Sequence, residues 1–229
     1  ALLSDGGRAV NGYQRMSNIF TLRPWANKNN IALFHDYLCP WCWVGFFQAE
    51  KLTQELGVKF EWVGASLYPP ELAGPESNPG PRPLPDPNAP KGRFDLFCEE
   101  EQIFCPQPRP GFVRTHNALL AAEWAKANGG FDALNEAIYR AYWERCENIE
   151  SIEVLSAIAQ SVGLDGAALA ESVAANRYDE NIVRFDDSAY DVGIRNVPTF
   201  VFGANEQLAE ANYPDLKRAT ERFLLRQKK

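Results

Sequence analysis

Two cysteines three residues apart, Cys39 and Cys42, enclose Pro40 and Trp41 and are the residues of this chain best placed for covalent chemistry. At the start of a helix such a pair has Cα atoms about 5 Å apart, inside the span of a disulfide, so it can open and close without moving the backbone. Unpaired backbone N–H groups and the positive end of the helix dipole favour a thiolate at the first sulfur, which marks Cys39 as the nucleophile. Pro40 falls at the first helical position, where its missing N–H costs nothing. Cys42 lies one turn in and is expected to be the more buried, resolving thiol. The pattern implies thiol–disulfide exchange, with Trp41 partly exposed towards substrate and Trp43 packed in the core.

Other uses of a CxxC pair are half of a zinc site and an inert pair of core cysteines. Tetrahedral zinc needs a second ligand pair, and Cys98, Cys105, Cys146, His35 and His116 have no such spacing, so no metal site is expected. In one continuous helix Cys98 and Cys105 would have Cα atoms about 10 Å apart, too far for a disulfide, although Pro106 can end the helix early enough to relax that objection. Cys146 follows Tyr142 by four residues and reads as a small core residue on the same stripe. Asp36, three residues before Cys39, is a candidate to exchange a proton with Cys42 if burial raises its pKa; a solvated strand-end aspartate is the alternative. In a regular strand His35 faces away from Asp36, so at most one of them approaches the cysteines.

These residues need elements to hold them. Residues 31–37 read as a short buried strand delivering the CPWC turn, and a helix from Cys39 to Leu56 follows, ending at Gly57. Residues 58–62 alternate as a second strand, giving a β-α-β unit suited to a parallel pair with a right-handed crossover. Between Pro69 and Pro90 there are nine prolines in 22 residues, which excludes helix or central strand and predicts an extended arm. Next comes a helix capped by Thr115, carrying Leu119, Leu120 and Trp124 and ended by Gly129-Gly130. A second places Phe131, Leu134, Ile138 and Tyr142 on one stripe, and a third, capped by Ser151 and closed by Gly163, carries Leu155, Ile158 and Val162. Further helical turns are expected to hold Leu169, Val173, Ile182, Phe185 and Ala189. Residues 197–203 and 207–212 read as strands and Pro214 to Arg226 as a helix, completing a four-stranded sheet.

At 229 residues, 45% hydrophobic and 23% charged, the composition is that of a globular protein with a sizeable core, and no run reaches the ~18 apolar residues of a membrane span. A net charge of −7 with dispersed basic residues argues against nucleic acid as a partner. An odd cysteine count with irregular spacing and no apolar signal core at the start point to a cytoplasmic protein, or an extracytoplasmic one if a signal has been removed. The only methionine is Met16, so residues 1–15 either precede the natural start or belong to a processed chain.

The CPWC turn after the first strand, together with Val197-Pro198-Thr199-Phe200 before the final strand and helix, resembles the DsbA family, and within it the FrnE-like branch. The run from Cys39 to Gly45, that from Gly193 to Phe200, and Thr115-His116-Asn117 carry the match. The resemblance implies an α/β thioredoxin fold with an inserted α-helical subdomain: an N-terminal extension over 1–30, the first half of the fold over 31–66, the proline-rich arm and helical insertion over 67–192, and the second half over 193–229. It implies a protein-disulfide oxidoreductase with Cys39 and Cys42 as the catalytic pair, Pro40, Trp41, Val197 and Pro198 at the substrate, and Pro198 in the cis form against the CPWC turn. The groups of Val197 would then pair with an extended substrate, and the missing N–H of Pro198 removes a donor beside the thiolate.

No bound cofactor is expected, with glutathione or another thiol as redox partner and a disulfide-containing protein or small thiol as substrate. A proline-rich arm free to wrap a neighbouring subunit makes a homodimer a further expectation. Glutathione-linked isomerase or transferase chemistry on a small molecule is the main alternative, since kappa-class glutathione transferases and 2-hydroxychromene-2-carboxylate isomerases share the inserted thioredoxin architecture. They typically carry serine where this chain has Cys39. A non-catalytic binding or chaperone module is the second alternative.

Overall fold

The computed structural model of the chain describes residues 30–185, 193–203 and 206–228. In chain order the elements are β1 (Ile31–His35), α1 (Pro40–Leu56), β2 (Phe60–Ser66), α2 (Arg93–Glu101), α3 (His116–Asn128), α4 (Phe131–Arg145), α5 (Ile152–Ser161) and α6 (Gly166–Ala174). A 3₁₀ turn (Asp179–Asn181) precedes β3 (Val183–Arg184), β4 (Thr199–Phe202), β5 (Glu206–Ala209) and α7 (Tyr213–Gln227). The sheet order is β3-β2-β1-β4-β5. β1 runs parallel to β2, with Ile31 opposite Phe60, and antiparallel to β4, with Phe34 opposite Thr199.

β1 is central and all five of its residues are buried, which explains its unbroken apolar run up to His35. α1 turns its Cys42, Val44, Phe46, Ala49 and Leu52 into the core and stops where Gly57 takes a left-handed φ of 68° and donates its N–H to the Thr53 carbonyl at 2.9 Å. α7 packs against α1 and β4, and α3 lies against β2. Among the described residues no helix is long and apolar enough to cross a membrane.

The sheet has five strands rather than four. Ile182 and Phe185, expected on helical turns, flank β3, which pairs parallel to β2 through Ala65–Val183 and Ser66–Arg184. The Phe185 N–H extends the pairing to the Ser66 carbonyl at 3.0 Å, and Arg184 is anchored by Asp179 at 2.6 Å. A two-residue strand has no period to read. Ala189 lies outside the described residues. β2 also runs past Trp62 to Ser66, because Val63, Gly64, Ala65 and Ser66 are all buried and show no alternation.

The arm over residues 69–90 contains neither helix nor strand, only an isolated bridge between Pro81 and Pro110. It folds back on its own chain. Asn78 N–H donates to the Phe112 carbonyl at 2.8 Å, Arg82 N–H to that of Arg109 at 2.7 Å, and Arg114 reaches the carbonyls of Pro69 and Leu72 at 3.2 Å. These contacts tie the arm to residues 109–114 of its own chain.

Candidate functional site

Cys39 is the N-cap of α1 and Pro40 its first residue. The turn from β1 is closed by the Cys39 N–H donating to the Asp36 carbonyl at 3.1 Å, and the helix begins with the Cys42 N–H donating to the Cys39 carbonyl at 3.0 Å. Both cysteines are free thiols. Cys39 is 6% exposed and Cys42 1%, so the sulfur nearer the helix start is also the nearer to solvent. Burial, then the hydrogen bond to Cys39, push the Cys42 thiol well above its ordinary range. Cys42 is therefore the thiol that keeps its proton.

The loop before β4 faces this turn. The Cys39 thiol donates to the Val197 carbonyl at 3.2 Å, and the Val197–Pro198 peptide is cis. The Pro198 carbonyl is taken by the Glu210 N–H at 3.0 Å and the Thr199 hydroxyl donates to Asn196 at 2.7 Å, fixing the loop from both sides. Close approach depends on Gly45. A Cβ there would stand 3.1 Å from the Pro198 Cβ and Cγ, tighter than ordinary van der Waals contact. Gly45 is a positioning residue that its place in the CPWCWVG run signalled without giving a reason.

Trp41 is half-buried. Its ring meets Phe94 and Phe97 of α2 at centroid distances of 5.7 and 5.1 Å, with the Arg93 guanidinium 4.9 Å over it. Trp43 is fully buried and donates its Nε1–H to the Phe104 carbonyl at 2.9 Å. The two tryptophans tie the CPWC turn to the segment around α2.

Asp36 is completely buried. One carboxyl oxygen accepts from the Leu38 N–H at 3.0 Å and from the Thr115 hydroxyl, the other from the Leu67 N–H at 2.8 Å. Burial raises its pKa, and these three donors limit the rise. Thr115, expected to cap α3 with its side chain, makes no cap bond, because Asp36 takes its hydroxyl instead. His35 packs edge-on against Tyr37 and Trp62, with its Nδ1 2.9 Å from the Tyr139 hydroxyl. Burial drives its pKa down to about 3, so it is neutral at physiological pH. His116 sits 2.8 Å from Asp179 and Asn117 donates to the Glu150 carbonyl at 2.8 Å; both brace α3.

Cys98 and Cys105 do not lie on one helix. α2 ends at Glu101, Gln102 takes a left-handed φ of 57°, and the chain turns back so that the Ile103 N–H donates to the Cys98 carbonyl at 2.8 Å and the Cys105 thiol to Asp95 of α2 at 3.3 Å. Cys146 is half-buried at the C-cap of α4, past the helix end, with its thiol 3.5 Å from the Pro108 carbonyl. Among the described residues no group of three His, Cys, Asp or Glu side chains could hold a metal ion. A cleft of about 570 Å³ lined by Phe47, Lys51, Phe104, Arg140 and Tyr213 does not include Cys39, Cys42 or Pro198.

Comparison with known proteins agrees with this architecture. The family described as the DSBA-like thioredoxin domain matches residues 30–219. The protein YwbO of Bacillus subtilis is 28% identical over 184 residues, covering 76% of this chain and 86% of its own. Among solved structures, the probable DsbA oxidoreductase SCO1869 of Streptomyces coelicolor has a TM-score of 0.66 at 19% identity, covering 85% of this chain and 89% of its own. A 2-hydroxychromene-2-carboxylate isomerase has a TM-score of 0.62 at 17% identity, covering 86% and 97%. The cytosolic disulfide reductase DsbM of Pseudomonas aeruginosa, in a structure with GSH, has a TM-score of 0.61 at 19% identity, covering 86% and 99%. At these identities the structural likeness is one of fold, a thioredoxin fold of the DsbA type.

Proposed function

The chain belongs to the DSBA-like thioredoxin domain family, and from that premise we propose that it is a thiol–disulfide oxidoreductase whose exchanging pair is Cys39 and Cys42. The observation that carries this reading is the Cys39 thiol at the start of α1, held by the Val197 carbonyl, with the buried Cys42 one helical turn behind it. Cys39, as thiolate, attacks one sulfur of a substrate disulfide and expels the other as a thiolate that takes up a proton. Cys42 then attacks the Cys39 sulfur, closing the internal disulfide and releasing the second substrate thiol; the reverse sequence oxidises a dithiol substrate. Cys42 must lose its proton in that step, and Asp36, whose burial raises its pKa and whose charge acts on Cys42, is the group we assign to accept it.

Substrate would lie along the Val197-Pro198 loop. An N–H of an extended segment can replace the Cys39 thiol at the Val197 carbonyl, which frees the sulfur as the substrate disulfide arrives. Pro40 and the uncovered part of Trp41 complete that surface. The substrate is a disulfide-bearing protein or a small disulfide, and the GSH in the DsbM structure supports glutathione as a thiol partner.

A glutathione-linked isomerase is the second reading, supported by the likeness to the chromene carboxylate isomerase. Cys42 stands against it, because a thiol next to Cys39 would displace glutathione bound there as a disulfide. Treating Cys42→Ala with a protein disulfide and with glutathione disulfide separates the two. An adduct on Cys39 that persists in the variant and resolves in the wild type is the expected result. Absence of any adduct, or an adduct equally persistent in both, would overturn the oxidoreductase reading.

A further inference from the structure

Resting on the assignment of Asp36 as acceptor of the Cys42 proton, we infer that Thr115 is a positioning residue for the resolving step. Its hydroxyl fixes the Asp36 carboxylate so that a single lone pair is left to take that proton. Asp36 follows the end of β1 and is completely buried, and three different elements supply its donors. The Leu38 N–H reaches Oδ1 from the turn before α1 at 3.0 Å, and the Thr115 hydroxyl reaches the same oxygen from the start of α3. The Leu67 N–H reaches Oδ2 from the end of β2 at 2.8 Å. A carboxylate oxygen has two lone pairs. Among the described residues both of those on Oδ1 are used, while Oδ2 keeps one open.

The other titratable groups around Asp36 do not share this task. His116 on α3 is 2.8 Å from Asp179, and burial lowers its pKa, so it is neutral at pH 7. Tyr37 donates to Asn135 at 2.8 Å, Tyr142 to the Gly111 carbonyl at 2.9 Å, and the Tyr139 hydroxyl lies 2.9 Å from His35. Burial raises the pKa of all three tyrosines, so they are neutral as well. Cys42 on α1, the proton donor of the step, is the remaining titratable neighbour. Neutral hydrogen-bond donors therefore hold the charge of Asp36, and Thr115 is the side chain among them. Its hydroxyl is withdrawn from its own helix for this purpose. A threonine at an N-cap ordinarily accepts from the first helical turn, whereas Thr115, 2% exposed, makes no such bond. A residue serving α3 alone would keep the cap.

In the resolving step the Cys42 thiol gives its proton to Oδ2 of Asp36 as its sulfur attacks the Cys39 sulfur of the mixed disulfide. The Cys39–Cys42 bond forms, the bond from Cys39 to the substrate sulfur breaks, and that sulfur leaves as a thiolate. Asp36 must be ionised when the step begins. Without the Thr115 hydroxyl the ionised form loses one of three donors, and a higher pH is needed to reach it.

The test loads Cys39 of the reduced full chain with one equivalent of dipyridyl disulfide in acid, with the adduct assigned by peptide mapping. A jump to a series of higher pH values then lets Cys42 expel thiopyridone, whose absorbance reports closure. In wild type the closure rate should rise with pH through one midpoint, and Asp36→Asn should lose that rise. Thr115→Val, of the same shape without the hydroxyl, should move the midpoint up by about one pH unit. Closure is then about tenfold slower than wild type below the midpoint and equal to it well above. Thr115→Ser should restore the wild-type midpoint. A wild-type midpoint in Thr115→Val, even with all rates lowered together, or a Thr115→Ser profile like that of Thr115→Val, would overturn the inference and leave Asp36 in its role. An Asp36→Asn profile identical to wild type would remove Asp36 from the step and the inference with it, and loading without closure in wild type would overturn the Cys39–Cys42 reading itself. Thr115→Ala gives the same decision should Thr115→Val fail to fold.

Discussion

Two cysteine-bearing turns stand at opposite ends of a helix, one at the start of α1 and one past the end of α2. Cys39 stands at the N-terminus of α1, where the positive end of the helix dipole favours negative charge. Cys98 lies in the last turn of α2, where the dipole opposes charge, and Cys105 sits beyond the helix end beside a cation, Arg109. Around Cys39 and Cys42 the positive end of the helix is the source of favourable charge, and both cysteines are buried. Beside Cys105 it is the partly exposed Arg109 guanidinium, paired with Asp95, that supplies the positive charge. A backbone device is built into the fold, whereas a side-chain device can be removed by one substitution.

The largest effect that would test this contrast is Cys39→Ser. It should lower disulfide turnover by about two orders of magnitude or more in an insulin reduction assay, because the nucleophile is lost. Full activity in that variant would rule out Cys39 as the nucleophile.

Acid should act next, and on the first region. His35, buried neutral with its pKa lowered to about 3, stays unprotonated in the folded chain while the unfolded chain takes up a proton near pH 6.5. Its contribution to stability is therefore present above pH 6.5 and lost as pH falls towards 3. Urea denaturation should show wild type losing about 1.4 kcal/mol per pH unit across that window relative to His35→Gln. Parallel pH profiles would show that His35 is not buried as neutral imidazole.

Gly45→Val tests the fit of the Val197-Pro198 loop. Helix propensity should change little, but the new side chain displaces Pro198, and kcat/KM should fall about fivefold while the cysteines still oxidise. A variant with unaltered kinetics would separate the loop from substrate positioning. Smallest is the effect of salt: because Arg109 and Asp95 are partly exposed, raising ionic strength from 0.05 to 0.5 M (~ tenfold) should slow Cys105 alkylation about twofold and leave Cys39 much less affected. Equal sensitivity of both thiols would erase the distinction between backbone and side-chain stabilisation.

Much of the scaffold could be read from local signals. The buried run before CPWC, Gly57 as a left-handed cap and Ser151 as an N-cap whose hydroxyl accepts from the Val154 N–H all act within a few residues. What escaped depends on distant partners. β3 exists because the edge of β2 is there to receive Val183 and Arg184, and two residues carry no pattern. The Thr115 hydroxyl leaves its own helix for Asp36, 79 residues away. Cys105 folds back to Asp95 past a left-handed Gln102, which sequence does not mark as it would a glycine. Gly45 was visible as a residue, but its purpose appears only with Pro198 packed 3.1 Å from where a Cβ would lie.

The most direct measurement is an equilibrium titration of the wild-type chain in glutathione redox buffers, acid-quenched and resolved by peptide mapping at Cys39 and Cys42. A single two-electron transition from the dithiol to a Cys39–Cys42 disulfide is the expected result, and its midpoint gives the reduction potential of the pair. A lasting glutathione adduct on Cys39 without closure onto Cys42, or no oxidation of either cysteine across the series, would contradict the account.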